Sequence, residues 1–180
     1  PIREHCLSGQ TVLEIGPGSL PHRDLWWGVP SLFISVDVDP QFHALAKQKC
    51  GCPFRALTRD RNSSQISLDD GSVDLLLAFY SLEHVSDLAA HTEEMRRVLR
   101  PGGLLVGAVP NEGGLAWGLA RYFGTRRWIR KKYLIDYDKI IAWEHPNYVD
   151  VVQETLDNRF LRVSWASHPL PLGDSFNFNF

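Results

Sequence analysis

The sequence predicts an α/β fold: a mostly parallel sheet with helices on both faces. Three observations carry that expectation. Short β-branched runs, TVLEI, LFISVDV, VDLLLAFY and GLLVGAV, recur along the chain and are apolar almost throughout, as strands buried on both faces are. Segments of helical period, QFHALAKQK and LAAHTEEMRRVLR, stand between them, and strand–helix repetition builds parallel sheets. The composition, 180 residues with 44% hydrophobic and 22% charged content and net charge −2, suits one globular domain, residues 1–180, with a sizeable core.

Taken in order, TVLEI is the first strand, and it runs into Gly16-Pro-Gly18, a tight strand-to-helix turn. Glu14 is a charge set inside that apolar run. LFISVDV is the second strand, ending at Asp37, with Asp39 before Pro40 placed to cap the helix that follows. VDLLLAFY is the third strand to be recognised, and Asp74 at its entry reads as a structural carboxylate. The helix over 92–99 stops at Arg100-Pro-Gly-Gly, since Pro101 cannot continue it, and GLLVGAV follows as the next strand. Residues 111–145 depart from the alternation and are longer than a plain connection. The tail, FLRVSWASHPLPLGDSFNFNF, offers two strands joined by a Pro/Gly turn, an antiparallel hairpin closing the sheet.

Several classes are disfavoured at once. No apolar stretch approaches the roughly 18 to 20 residues of a membrane span, and the first residues lack the apolar middle of a signal peptide, so the chain reads as soluble and cytoplasmic. It opens on Pro1 and closes on a strand-like Asn-Phe-Asn-Phe, which reads as a piece of something longer. Three cysteines do not make a disulfide framework, and Cys50 and Cys52 lack a second pair at zinc-ligand spacing, so no metal is expected.

A strand followed by Gly-x-Gly lets backbone approach a nucleotide-like ligand, and a carboxylate about twenty residues on, Asp37, suits a ribose diol. A dinucleotide fold would need a third glycine at the position held by Pro21, which weakens an oxidoreductase reading. S-adenosylmethionine needs no pyrophosphate cradle and carries a sulfonium and an ammonium group, which gives Glu14 a purpose.

With VLEIGPGS, SVDVDP, DDGSVDLLLAFYSLEHVSD and MRRVLRPGGLLVGAVPN in that order, the chain resembles class I S-adenosylmethionine-dependent methyltransferases, in particular the small-molecule group with a Leu-Glu-His-Val segment. The resemblance spans roughly residues 12–111 and implies a Rossmann-like, mostly parallel seven-stranded sheet. It departs at Leu20, where the family usually has a third glycine. It implies that Glu14, Gly16 and Gly18 surround the methionine part of the cofactor, that Asp37 takes the ribose hydroxyls and that Val38 flanks the adenine. Asp60 stands near where the family often places an acidic residue for the adenine amino group; a solvated loop aspartate is the alternative. Ala78, Phe79 and Tyr80 should line the floor beneath the methyl group, with S-adenosylhomocysteine as the product.

For catalysis, Tyr80 and His84 are the candidate residues. His84 could deprotonate an oxygen nucleophile, or it could tie down its loop irrespective of substrate. Glu83 and His84 also resemble half of the metal site of small-RNA terminal 2′-O-methyltransferases, but Tyr80 stands where that family has a glutamate. The expected reaction is methyl transfer to a small or medium-sized metabolite; the alternatives are an inactive cofactor-binding fold serving as a regulatory or assembly partner, and an NAD-type oxidoreductase.

The insertion at about 112–145 holds WGLARYFGTRRWIRKKY, with six Lys and Arg and no acidic residue, against 13 basic and 21 acidic residues elsewhere. It reads either as a solvated helix packing its aromatics or as a lid in which Trp117, Tyr122, Phe123 and Trp128 exclude water. In the lid reading Arg126, Arg127 and Arg130 meet a phosphate, carboxylate or lipid head group on an anionic acceptor. The acidic remainder disfavours nucleic acid. His145, in Trp-Glu-His-Pro, is a further substrate-side candidate at the start of a helix, or simply a helix-start turn.

Overall fold

The four apolar runs become the middle and one edge of a parallel sheet, and a fifth strand joins on the other side. The computed structural model describes residues 2–110, 122–133 and 136–167. The strands are β1 Thr11–Ile15, β2 Leu32–Asp37, β3 Phe54–Thr58, β4 Val73–Phe79 and β5 Leu99–Ala108. They pair in the order β3-β2-β1-β4-β5, every pair parallel. Val12, Leu13, Phe33, Ile34, Leu75, Leu76 and Leu77 are all buried, which explains why these strands show no polar alternation. Each such side chain contributes about 1.5–3 kcal/mol through burial.

Four features depart from expectation. Among the described residues the sheet has five strands, not seven. FRALT forms an unanticipated strand at the sheet edge, where its residues are at most half-buried. Residues 161–167 contain no strand, and 168–180, where the second strand of the expected hairpin would fall, lie outside the described residues, as does Trp117. The helix stop before Pro101 occurs one residue early: β5 begins at Leu99 opposite Val73, and its register shifts before Leu104 pairs with Leu75.

Helix α1, Pro40–Cys50, starts as its sequence dictates, with the Asp39 side chain accepting from the Gln41 N–H at 2.8 Å and Pro40 in the first turn. Helix α2 spans Leu88–Val98. The strand order reverses direction at β1, so right-handed crossovers carry α1 and α2 to opposite faces. Asp74 ties three strands together, accepting from Thr11 N–H at 2.7 Å and pairing with Arg100 at 2.9 Å. Arg97 pins the long β3–β4 connection to α2 through the carbonyls of Ile66 and Leu68.

Contacts divide the chain into two compact units, Pro1–Ser81 with Ala89–Ala108, and Leu82–Leu88 with Val109–Phe180. The first holds the sheet. The second holds a 3-10 turn, Leu82–His84, and helices α3 Thr125–Tyr133, α4 Tyr137–Glu144 and α5 Val149–Asp157.

Candidate functional site

Between β1 and β4 the chain crosses from one half of the sheet to the other, and the carboxyl ends there open a crevice with no crossover to fill it. The register levels this edge: Ile15 pairs with both Val36 and Ala78, Asp37 with Thr58, and Phe79 with Ala108. Backbone pairing continues one step further through Gly16 N–H to Val36 O, Arg59 N–H to Asp37 O and Tyr80 N–H to Ala108 O. Glu14, Gly16, Asp37, Val38, Ala78, Phe79 and Tyr80 therefore share one rim of the sheet.

The turn leaving β1 takes left-handed backbone at Gly16 (φ 64°), Gly18 (φ 53°) and Leu20 (φ 54°). A Cβ at Gly16 would stand 3.0 Å from the Ser81 Cβ, so this first glycine is needed for the approach of the β4 exit. A Cβ at Gly18 would meet nothing within 4 Å, which is the clearance a ligand against the backbone requires. Leu20 pays for its unusual φ with burial: its side chain is enclosed in the core, so the missing third glycine leaves the turn's conformation in place.

Glu14 is only 1% exposed. Its Oε2 lies 3.2 Å from His22 Nε2, and the His22 ring packs at 4.8 Å on Phe79. Burial raises the Glu14 pKa above the usual carboxylate range, and the histidine offsets part of that rise. His22 escaped the sequence reading, although a carboxylate buried in a strand demands a nearby cationic or donor group.

At the end of β2, Asp37 Oδ1 accepts from the Asp39 N–H at 3.0 Å, and Asp39 rather than Asp37 caps α1. Val38 is 36% exposed beside it, an apolar surface on the rim. Arg59 follows β3 and is held by the Ser63 carbonyl at 2.8 Å and by Nδ1 of the fully buried His91 at 3.1 Å. Burial lowers the Arg59 pKa, and the Asp37 carboxylate counters part of this. Because Nδ1 accepts from a guanidinium, His91 is neutral, its pKa lowered to about 4 by burial and then by Arg59. Neither residue stood out in the sequence. Asp60 is exposed, and its Oδ1 accepts from Asn62 N–H at 2.8 Å in its own turn. Tyr80, half exposed, carries φ 53°, a conformation that costs a bulky residue roughly 1–3 kcal/mol and concentrates at functional positions.

In the second unit, the His84 Nδ1–H donates to the Glu144 carbonyl at 2.9 Å, and its ring meets that of His145 edge-on at 4.5 Å. His84 Nε2 lies 3.9 Å from Glu83 Oε1. Asn147 donates to the carbonyls of Leu82 and Val85, fastening the same turn. His145 lies at the carboxyl end of α4, not at the start of a helix. Arg126, Arg127 and Trp128 are exposed on α3; the Arg130 side chain lies outside the description. Among the described residues there is no group of three His, Cys, Asp or Glu able to hold a metal, and no helix is long and apolar enough to cross a membrane.

Comparison with known proteins adds independent findings. A family model described as a methyltransferase domain matches residues 13–107. An uncharacterised methyltransferase of Mycobacteroides abscessus is 34% identical over 137 residues, covering 71% of this chain and 53% of that protein. A Mycolicibacterium smegmatis protein named as an S-adenosylmethionine-dependent methyltransferase is 36% identical over 107 residues, covering 59% of this chain and 40% of that one. The chain thus spans about half or less of the length of these curated relatives. A crystal structure from Bacillus halodurans named as a methyltransferase shares the fold with a TM-score of 0.60 at 12% identity, covering 86% of this chain and 63% of that one.

Proposed function

The chain belongs to the class I S-adenosylmethionine-dependent methyltransferases, and from that membership we propose that it transfers a methyl group from S-adenosylmethionine to a small or medium-sized, anionic metabolite. The observation that carries the proposal is the glycine turn at the β1–β4 switch point, underlain by the buried carboxylate of Glu14 and flanked on the same rim by Asp37.

The residues present fit the cofactor. Gly16 and Gly18 give backbone clearance, and Glu14 offers negative charge for the ammonium and sulfonium end. Asp37, with Oδ1 fixed by Asp39, keeps Oδ2 for the ribose hydroxyls, and Val38 gives the adenine an apolar face. When bound, the cofactor supplies an electrophilic methyl on a cationic sulfur. The protein's part is then to position and desolvate rather than to form covalent bonds. Ala78, Phe79 and Tyr80 form the floor, and Phe79 holds His22 against Glu14 so that the carboxylate keeps its orientation. Asp60 contributes through its turn, as its carboxylate already accepts from Asn62. His84 ties its turn to the Glu144 carbonyl through Nδ1–H, a structural role, and its Nε2 would serve as a base only in the alternative reading for a hydroxyl acceptor. Arg126, Arg127, Trp128 and His145 are assigned to the acceptor.

Calorimetric titration tests this directly. S-adenosylmethionine and S-adenosylhomocysteine should bind and NAD should not; binding of NAD, or of none of the three, overturns the reading.

A further inference from the structure

Residues 122–133, YFGTRRWIRKKY, carry five Lys and Arg and no acidic residue. Their aromatic side chains face water: Phe123 is 66% exposed and Trp128 56%, with Tyr122 and Tyr133 about half exposed. Rings and cations are interleaved rather than segregated. Tyr122 and Phe123 meet edge to face at 5.1 Å, with the Arg127 guanidinium 5.7 and 6.0 Å from the two ring centres. Trp128 and Tyr133 meet at 5.9 Å, and Lys132 Nζ lies 4.7 and 5.1 Å from their centres.

A small soluble anion needs one or two guanidinium groups in a pocket. It does not need four exposed aromatics and five cations along about 18 Å of chain, at roughly 1.5 Å per residue. A surface offering both an apolar boundary and a sheet of negative charge uses all of them, because Trp and Tyr settle at the head-group level while adjacent Lys and Arg reach the phosphates. From this chemistry we propose that residues 122–133 dock the protein on an anionic lipid bilayer, so that the acceptor is met at a membrane surface. The inference deepens the acceptor part of the reading above and rests on it only for the acceptor, since docking requires no methyl transfer. Nucleic acid could engage the same mixture through phosphates and stacked bases, but the remaining 14 basic and 21 acidic residues would oppose a polyanion that wraps the protein, whereas a bilayer is approached from one side.

The full chain is sedimented with phosphatidylcholine vesicles, with or without phosphatidylglycerol, at low and high salt. A short single-stranded RNA is titrated in parallel, and S-adenosylmethionine binding is followed by calorimetry. Binding confined to the anionic vesicles and weakened by salt is expected. Arg126→Ala with Arg127→Ala should lower that binding about 10- to 30-fold, and Trp128→Ala should lower it about fivefold or more, with cofactor affinity retained as proof of folding. Failure to bind anionic vesicles at low salt, equal binding to both vesicle types, indifference to the substitutions, or tighter binding to the RNA overturns the proposal. Loss of cofactor binding by the parent chain with vesicle binding intact overturns the methyltransferase reading and leaves the docking surface standing.

Discussion

Replacing Glu14 by Gln keeps the shape of the side chain and removes its charge, and the two consequences should run in opposite directions. The carboxylate is enclosed, and its pKa is raised mainly by burial, with His22 at 3.2 Å only partly compensating. A folded-state pKa above the unfolded one means that the stability tied to this group is fully present below the ordinary carboxylate pKa and is lost as pH rises through the folded value. At neutral pH, therefore, Glu14 burdens the fold. The Gln amide keeps a hydrogen-bonding group beside the His22 ring, whose side chain is 14% exposed. Glu14→Gln should unfold at a higher urea concentration than the parent at pH 7, with the gap closing toward pH 4. Affinity for S-adenosylmethionine should fall, since one charge-assisted interaction is worth about 1.5–3 kcal/mol, or roughly 10- to 100-fold in Kd. Urea titrations at the two pH values and calorimetry with the cofactor make the comparison. A variant less stable than the parent at pH 7 would show that the Glu14–His22 pair supports the fold. Undiminished cofactor binding would remove Glu14 from the site.

The other expectations are more compact. Asp37→Ala should weaken cofactor binding about tenfold or more by calorimetry, through loss of charge-assisted bonds to the ribose, and an unchanged Kd sinks that assignment. His91, held neutral with its pKa lowered to about 4 against the usual value near 6.5, refuses a proton that the unfolded chain accepts, so stability should drop as pH falls from 7 to 5, by about 2 kcal/mol. His91→Gln, which can still accept from Arg59, should flatten that part of the urea-midpoint profile; an identical slope in parent and variant refutes it. His84→Ala is expected to lower thermal stability by removing the tie to the Glu144 carbonyl while sparing turnover per folded molecule. A fall of about 10² or more in kcat with cofactor affinity intact would instead make His84 the base.

What the sequence disclosed and what it hid follow from how each feature is stabilised. β1, β2, β4 and most of β5 announced themselves because burial on both faces enforces unbroken apolar runs, and Asp39 was legible because a cap acts on the backbone two residues away. FRALT at the edge needs no such run: Arg55 and Ala56 face water, and only pairing with β2 makes it a strand. Its neighbour in sequence is where the second hidden feature lies. Arg59 looked like one more loop cation, yet its partners are Asp37, Ser63 and His91, 22, 4 and 32 residues away, and periodicity reports none of them. His22 was recoverable in principle, since Glu14 inside TVLEI could not be buried without a partner and the Gly-Pro-Gly turn brings the chain back over the strand. Leu20 shows the limit of motif reasoning. A glycine is missing from the family's pattern there, but Leu20 still takes the left-handed conformation because packing of an enclosed leucine outweighs roughly 1–2 kcal/mol of backbone strain. Motif letters record the least costly residue for a conformation, and burial can supply the difference when another residue stands there. The same reasoning explains why the proposed acceptor site is less legible than the proposed cofactor site: the residues proposed for the cofactor sit at strand ends fixed by the sheet, whereas Arg126, Arg127 and Trp128, proposed for the acceptor, lie exposed on a helix outside the sheet, where no buried apolar run marks them.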